Sequence, residues 1–189
     1  RETVNIFLEQ IQKNTSKDHR WRIELAQHVH PSEIPRFKQW NIIASMQGIH
    51  CTSDAPFVYR RLGEERARTG AYLWRAFMEA GVLVNNGTDV PVENADPIPN
   101  FFASVTRQLK DGSTFFAAQK MTRAEAVYSY TMANARAQFE EKDKGSISVG
   151  KYADIVILSQ NLLTCSDADI LKTKVVKTLV GGKVLYENK

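Results

Sequence analysis

Apolar residues recur at Val4, Phe7, Leu8 and Ile11, and this i, i+3, i+4, i+7 spacing predicts an opening amphipathic helix. A polar stretch from Lys13 to His19 follows, after which Trp21 to Ala26 reads as a strand. Pro31 opens a helix predicted to run to about Gln39, since proline suits a first helical turn where its missing N–H costs nothing. The run Ile42-Ile43-Ala44-Ser45-Met46 is then a buried strand, and a long loop from Gly48 to about Val58 carries His50, Cys51 and Asp54. A helix is predicted from about Ala71 to Ala80, with Trp74, Phe77 and Met78 as its core stripe. Gly81 stops it, and the chain enters a buried strand from Val82 to Asn86.

This alternation of strand and helix is the βαβ rhythm of a parallel sheet. Asp96-Pro97-Ile98-Pro99 is predicted as a turn, Phe101 to Leu109 as a helix, and Met121 to about Phe139 as another. The last of these starts at Thr122 with Glu125 three residues on, the signature of a capping box. From Gly145 the texture changes: glycine turns bracket a strand from Ala153 to Leu158, and Val175 to Val180 and Lys183 to Tyr186 flank Gly181-Gly182 as a hairpin. These last strands read as a separate small β unit, with Lys151 and Asp154 organising the turn into it.

Composition narrows the class. With 189 residues, 43% of them apolar and 24% charged, the chain is long enough to bury a core. No stretch approaches the roughly 20 apolar residues needed to span a bilayer, so nothing here speaks for a membrane, and the compartment stays open. The formal net charge of +4 is spread among intermixed acids and forms no run of the kind that binds nucleic acid. Cys51 and Cys165 lie far apart, outside any CxxC spacing, and indicate neither a disulfide framework nor a zinc knuckle. The sequence opens at Arg1, directly in a helical pattern, and is expected to be a fragment or a processed product.

Chemistry concentrates at two positions. Asp89 closes Gly87-Thr88-Asp89 just after the Val82 to Asn86 run, and a carboxylate at the carboxyl end of a buried parallel strand sits where α/β barrels place catalytic groups. Read structurally, the same aspartate would cap the turn into Val90 to Glu93. His50 follows the neighbouring strand and would share that rim. Asp54, Arg61 and Glu93 are left without a chemical role, as charged loop residues are ordinarily solvated. No P-loop, GxGxxG or GxSxG element is present, which leaves nucleotide-dependent and serine-hydrolase chemistry without support.

Several segments taken together resemble a known family. They are Arg22-Ile23-Glu24 with Ala26-Gln27, Ile34-Pro35-Arg36-Phe37, Ala44-Ser45-Met46-Gln47 with His50, Ser53-Asp54, Arg61-Leu62-Gly63, Gly87-Thr88-Asp89, Pro91-Val92-Glu93 and Asp96-Pro97. Met121-Thr122-Arg123, Phe139-Glu140-Glu141, Lys144-Gly145-Ser146, Gly150-Lys151, Ala153-Asp154 and Val180-Gly181-Gly182 extend the match. In this order they closely resemble the YtcJ-like branch of the amidohydrolase superfamily.

The resemblance implies an α/β fold, namely the C-terminal part of a (β/α)8 TIM-like barrel, with strand 6 near Ile23, strand 7 near Ala44 and strand 8 near Val84, over residues 1–144. Residues 145–189 would be the C-terminal share of a small β-sandwich. It further implies a hydrolase acting on non-peptide C–N bonds in amide- or formamide-like small molecules with a bound divalent metal, zinc foremost. Asp89 would be its metal ligand and proton carrier, and His50 a substrate-side group. Family ligands on strands 1, 4 and 5 would lie upstream of Arg1. At the strand 6 ligand position the branch has histidine, whereas this chain has Leu25, which cannot ligate metal. His28 lies three residues further on and would point to the opposite face of a continuing strand, so His28 and His30 read as polar loop residues leading into Pro31. The isolated chain is therefore expected to be inactive. The alternative is a non-catalytic remnant or subunit that assembles as a homo-oligomer or with a complementing N-terminal fragment.

Overall fold

The computed structural model describes residues 1–14 and 18–188, so the centre of the predicted Lys13 to His19 linker, 15–17, lies outside the described residues. The chain runs α1 (Glu2–Lys13), β1 (Arg22–Ile23), α2 (Ile34–Gln39), β2 (Ile43–Met46), α3 (His50–Gly70), α4 (Trp74–Glu79) and β3 (Val84–Asn86). It continues through α5 (Pro97–Thr106), α6 (Arg123–Tyr130), α7 (Met132–Ala137), β4 (Ile155–Leu158), α8 (Asp167–Ile170), β5 (Val175–Val180) and β6 (Lys183–Glu187). The result is a mixed α/β fold with two three-stranded sheets.

Strands β1, β2 and β3 pair in parallel and in chain order, with Ala44 facing Ile23 on one side and Val84 on the other. Because strand side chains alternate, Ala44, Met46 and Val84 join the main core with Phe37, Trp74 and Phe77. Ser45 and Asn85, register partners one residue on, line a small polar cavity instead. Asn134 on α7 donates to the carbonyl of Asn86 at 3.0 Å, which satisfies one acceptor that the ladder with β2 leaves free.

Several predicted boundaries move, each for a local reason. The strand expected over Trp21 to Ala26 stops at Ile23, because Leu25 and Ala26 take left-handed backbone with φ of 68° and 32°. The loop expected from Gly48 to Val58 is instead the start of α3. Cys51, Ala55 and Val58 are all buried, at i, i+4 and i+7 of one helical face, and Thr52 Oγ1 donates back to the Ile49 carbonyl at 2.9 Å. The helix expected over Ala71 to Ala80 is trimmed to Trp74–Glu79, since Tyr72 also has positive φ, at 53°. Gly81 ends it as expected, with φ 72°.

The predicted Asp96 turn proves to be a helix start: Asp96 Oδ1 accepts from the Ile98 N–H at 2.9 Å with Pro97 in the first turn. The helix expected over Met121 to Phe139 is broken at Thr131 into α6 and α7. Its capping box forms as read, Glu125 N–H donating to Thr122 Oγ1 at 3.2 Å and Thr122 N–H to Glu125 Oε2 at 2.7 Å.

In the second sheet β4 pairs with β5 and β5 with β6, all antiparallel, and Gly181 and Gly182 supply the two positive φ angles of the hairpin turn. Asp154 Oδ1 accepts from the Gly181 N–H at 2.8 Å. The short helix α8 reaches back, and its Ile170 is fully buried in the main core. Both cysteines are free. Among the described residues no helix is long and apolar enough to cross a membrane.

Candidate active site at the strand ends

The carboxyl ends of β1, β2 and β3 form one rim. Asp89 follows β3 in left-handed backbone, φ 60°, and its carbonyl accepts from the Val92 N–H at 2.8 Å. His50 is the first residue of α3, four residues past β2, and its backbone N–H bonds the Gln47 carbonyl at 3.2 Å. The two expected side chains do meet. His50 Nε2 stands 3.9 Å from Asp89 Oδ2, with the imidazole 5% exposed and the carboxylate 38% exposed. Nε2 is buried and has no hydrogen-bond partner, while Nδ1 lies 2.8 Å from the amide nitrogen of Gln27.

A polar floor fixes this rim. Asn86 Oδ1 accepts from the Gly48 N–H at 2.9 Å, and its amide donates to Ser104 Oγ at 3.0 Å. Asn100 donates to the Gly87 carbonyl at 2.6 Å and accepts from the Ile49 N–H at 2.5 Å. One buried pair of asparagines thereby ties the turn after β2 to the turn after β3. Gly48 is required by this packing: a Cβ there would stand 2.1 Å from Ser104 Oγ and 2.9 Å from the Asn100 carbonyl.

Below the rim, Glu24, Ser45, Gln47 and Asn85 line a cavity of about 210 Å³ in which the Gln47 and Asn85 side-chain oxygens lack partners. Burial opposes ionisation of Glu24, yet hydrogen bonds from Ser45 and Arg22 and the Arg22 charge hold its pKa below the usual carboxylate value. A larger concavity, about 760 Å³, lies instead around the beginnings of β2 and β3 and is lined by neither Asp89 nor His50.

Neighbouring groups sort themselves by contact. Leu25 is exposed at the rim and offers no donor. His28 forms a bridge with Ala71 and lies edge-on to Tyr72, ring centroids 5.6 Å apart; partial desolvation lowers its pKa and the Asp54 charge opposes that. Asp54 is engaged, accepting from the Tyr72 hydroxyl at 2.7 Å. His30 accepts from the Ser32 N–H, so it serves as a helix-turn cap. Glu93 accepts from Ser53 Oγ at 2.7 Å. Burial pushes the Cys51 thiol up to about 12, which removes it as a nucleophile. Gln27 stands in the sequence only within a segment that carries the resemblance, with no role of its own; the tertiary contact with His50 reveals one.

A hydrolytic zinc takes at least three protein ligands. Among the described residues no group of three or more His, Cys, Asp or Glu side chains converges. Asp89 and His50 are two donors, and the side chains of this chain alone do not fit a complete metal site.

Comparison with known proteins now has a geometry to attach to. The model of the amidohydrolase family matches residues 1–186. The chain belongs to the amidohydrolase family. It is 37% identical over 174 residues to Protein LONG AFTER FAR-RED 3 of Arabidopsis thaliana, a match covering 92% of this chain and 30% of that protein. It is 29% identical over 184 residues to YtcJ of Bacillus subtilis (strain 168), which carries the name amidohydrolase, covering 95% of this chain and 35% of YtcJ, in keeping with the YtcJ-like resemblance. It is 27% identical over 125 residues to the N-substituted formamide deformylase of Arthrobacter pascens, covering 66% and 23%. Among solved structures, an uncharacterized metal-dependent hydrolase from Pyrococcus horikoshii OT3 superposes with a TM-score of 0.75 at 26% identity, over 88% of this chain and 32% of that one. The chain thus spans about a third of the length of the first two of these relatives.

Proposed function

We propose that this chain is the C-terminal part of a (β/α)8 amidohydrolase that hydrolyses a non-peptide C–N bond in a small amide- or formamide-like molecule. The observation that carries it is the opposition of His50 Nε2 and Asp89 Oδ2 across 3.9 Å at the carboxyl ends of three parallel strands. Residues 1–144 are then the barrel share, and 145–189 the sandwich share. Asp89 takes a proton from the attacking water and returns it to the leaving nitrogen; His50 polarises the scissile carbonyl. A divalent metal, zinc by preference, is the family's usual partner in such chemistry, and Asp89 is the corner of its site that this amidohydrolase chain supplies. Three strands cannot close a barrel, so the chain alone is inactive.

The second reading, a non-catalytic remnant or subunit that pairs with itself or with a complementing N-terminal fragment, is favoured by Leu25, which occupies the rim without a donor. Metal analysis separates the two. The longer protein that the first reading implies should hold about one divalent ion per chain and lose it on Asp89→Asn, while the 189-residue chain holds almost none. Unchanged metal content in the Asp89→Asn protein overturns Asp89 as ligand, and Leu25→His tests the other rim position by a gain in metal affinity.

A further inference from the structure

The gap between His50 and Asp89 is governed by a third side chain. Gln27 lies on the segment after β1 and brings its amide nitrogen 2.8 Å from Nδ1 of His50. With the Gln27 amide turned nitrogen-first to the ring, it donates and Nδ1 accepts, the arrangement that matches an imidazole protonated on Nε2. That nitrogen is buried without a partner, and 3.9 Å to Asp89 Oδ2 is too long for a direct bond.

Gln27 is itself held in place. Its backbone carbonyl accepts from the Tyr72 N–H at 2.7 Å, and Val29 N–H bonds the Gly70 carbonyl at 2.9 Å. Just before it, Leu25 and Ala26 keep left-handed backbone, a conformation that non-glycine residues adopt only against a steric cost. A chain that tolerates two such residues in succession does so where its surroundings over-determine the conformation. The consequence is that the Gln27 amide is delivered to the imidazole.

We propose that Gln27 is a positioning residue that holds His50 in its Nε2–H tautomer, so that the imidazole presents an N–H donor to a carbonyl or oxyanion oxygen at the rim. That the oxygen belongs to an amide-like substrate rests on the proposed function; the tautomer does not. In this arrangement His50 makes and breaks no bond. Its Nε2–H strengthens its hydrogen bond as negative charge develops on the oxygen, and the transfer of protons falls to Asp89.

The test is a long-range proton–nitrogen correlation spectrum of the histidine rings in the 189-residue chain, with the His50 signals assigned by their loss in His50→Asn. The wild type should show Nε2 protonated and Nδ1 bare. Gln27→Glu replaces the donor by a carboxylate that only accepts, and should reverse the tautomer; Gln27→Leu should leave a mixture of both. A wild-type ring protonated on Nδ1, or a tautomer unchanged in Gln27→Glu, overturns the proposal. Should Gln27→Glu not fold, the wild-type spectrum and Gln27→Leu still decide it. If the tautomer reverses while Asp89→Asn leaves metal content unchanged, the hydrolase reading falls and the positioning role stands; the opposite pattern removes only the positioning role.

Discussion

Two three-stranded sheets share this chain, and they are finished to different degrees. Every residue of β2 and β3 is buried, because one face of the parallel sheet packs on Phe37, Trp74 and Phe77 and the asparagine floor closes its rim. Every residue of β6 is exposed, including Val184 at 50%, Leu185 at 69% and Tyr186 at 50%. Both sheets contain apolar residues suited to strands, so composition does not separate them. What separates them is whether this chain carries the layer that covers each. The parallel sheet brings its own helices. Under the proposed function, the cover for the antiparallel sheet belongs to the remainder of the protein.

The largest effect expected from this contrast is in a matched pair of truncations. Phe77 is fully buried and edge-on to Phe37 at 4.9 Å, so Phe77→Ala should cost about 3–5 kcal/mol by transfer and cavity terms together. Leu185→Ser should stay within about 0.5 kcal/mol, as for other exposed positions. Denaturant unfolding of both variants measures the difference. Equal losses would mean that the antiparallel sheet is covered in solution, for instance by a second copy, and the contrast would dissolve.

A smaller effect sharpens the account of the helix layer. Arg75 on α4 makes two bonds to Glu125 on α6, at 2.8 and 2.7 Å. These, with the Thr122 cap, hold the Glu125 carboxyl well below its usual value, at about 2. Between the unfolded value near 4.5 and about 2 the unfolded chain binds more protons, so stability is fully present above 4.5 and is lost as pH falls through that window. Glu125 is 32% exposed, and solvent screening reduces the loss to roughly 1 kcal/mol. Glu125→Gln keeps a cap acceptor but removes the charge. Its stability should therefore fall less steeply than the wild type from pH 4.5 to 2; parallel curves would remove the pair from the helix layer's stability.

The contrast also explains what could be read from the residues alone. Asp89 was legible because the Val82 to Asn86 run and the Gly87-Thr88 turn are local signals. The Thr122–Glu125 cap and the Gly181-Gly182 hairpin were legible for the same reason. The end of β1 was not, since left-handed backbone at Leu25 and Ala26 occurs without the glycine that usually announces it. The start of α3 was obscured by Gly48 and Pro56, although Cys51, Ala55 and Val58 already carried a helical period. The partnership of Gln27 with His50 spans 23 residues and leaves no trace in either segment. Periodicity and turn chemistry are local, while the geometry of the rim is set by packing between elements.

The smallest expected effect lies at the seam between the two sheets. Arg123 on α6 donates to the Leu162 carbonyl and to Asp167 Oδ1, both at 2.5 Å, and so fastens the segment before α8 to the helix layer. Asp167 is 64% exposed, which limits the ion pair to well under 1 kcal/mol, whereas Ile170 anchors the same segment from within the core. Arg123→Met should therefore change global stability by less than about 1 kcal/mol and yet raise amide hydrogen exchange over 161–169, because a local opening can loosen one segment while the rest stays closed. An equal rise in exchange through β2 and β3 would show instead that the seam and the parallel sheet open as a single cooperative unit.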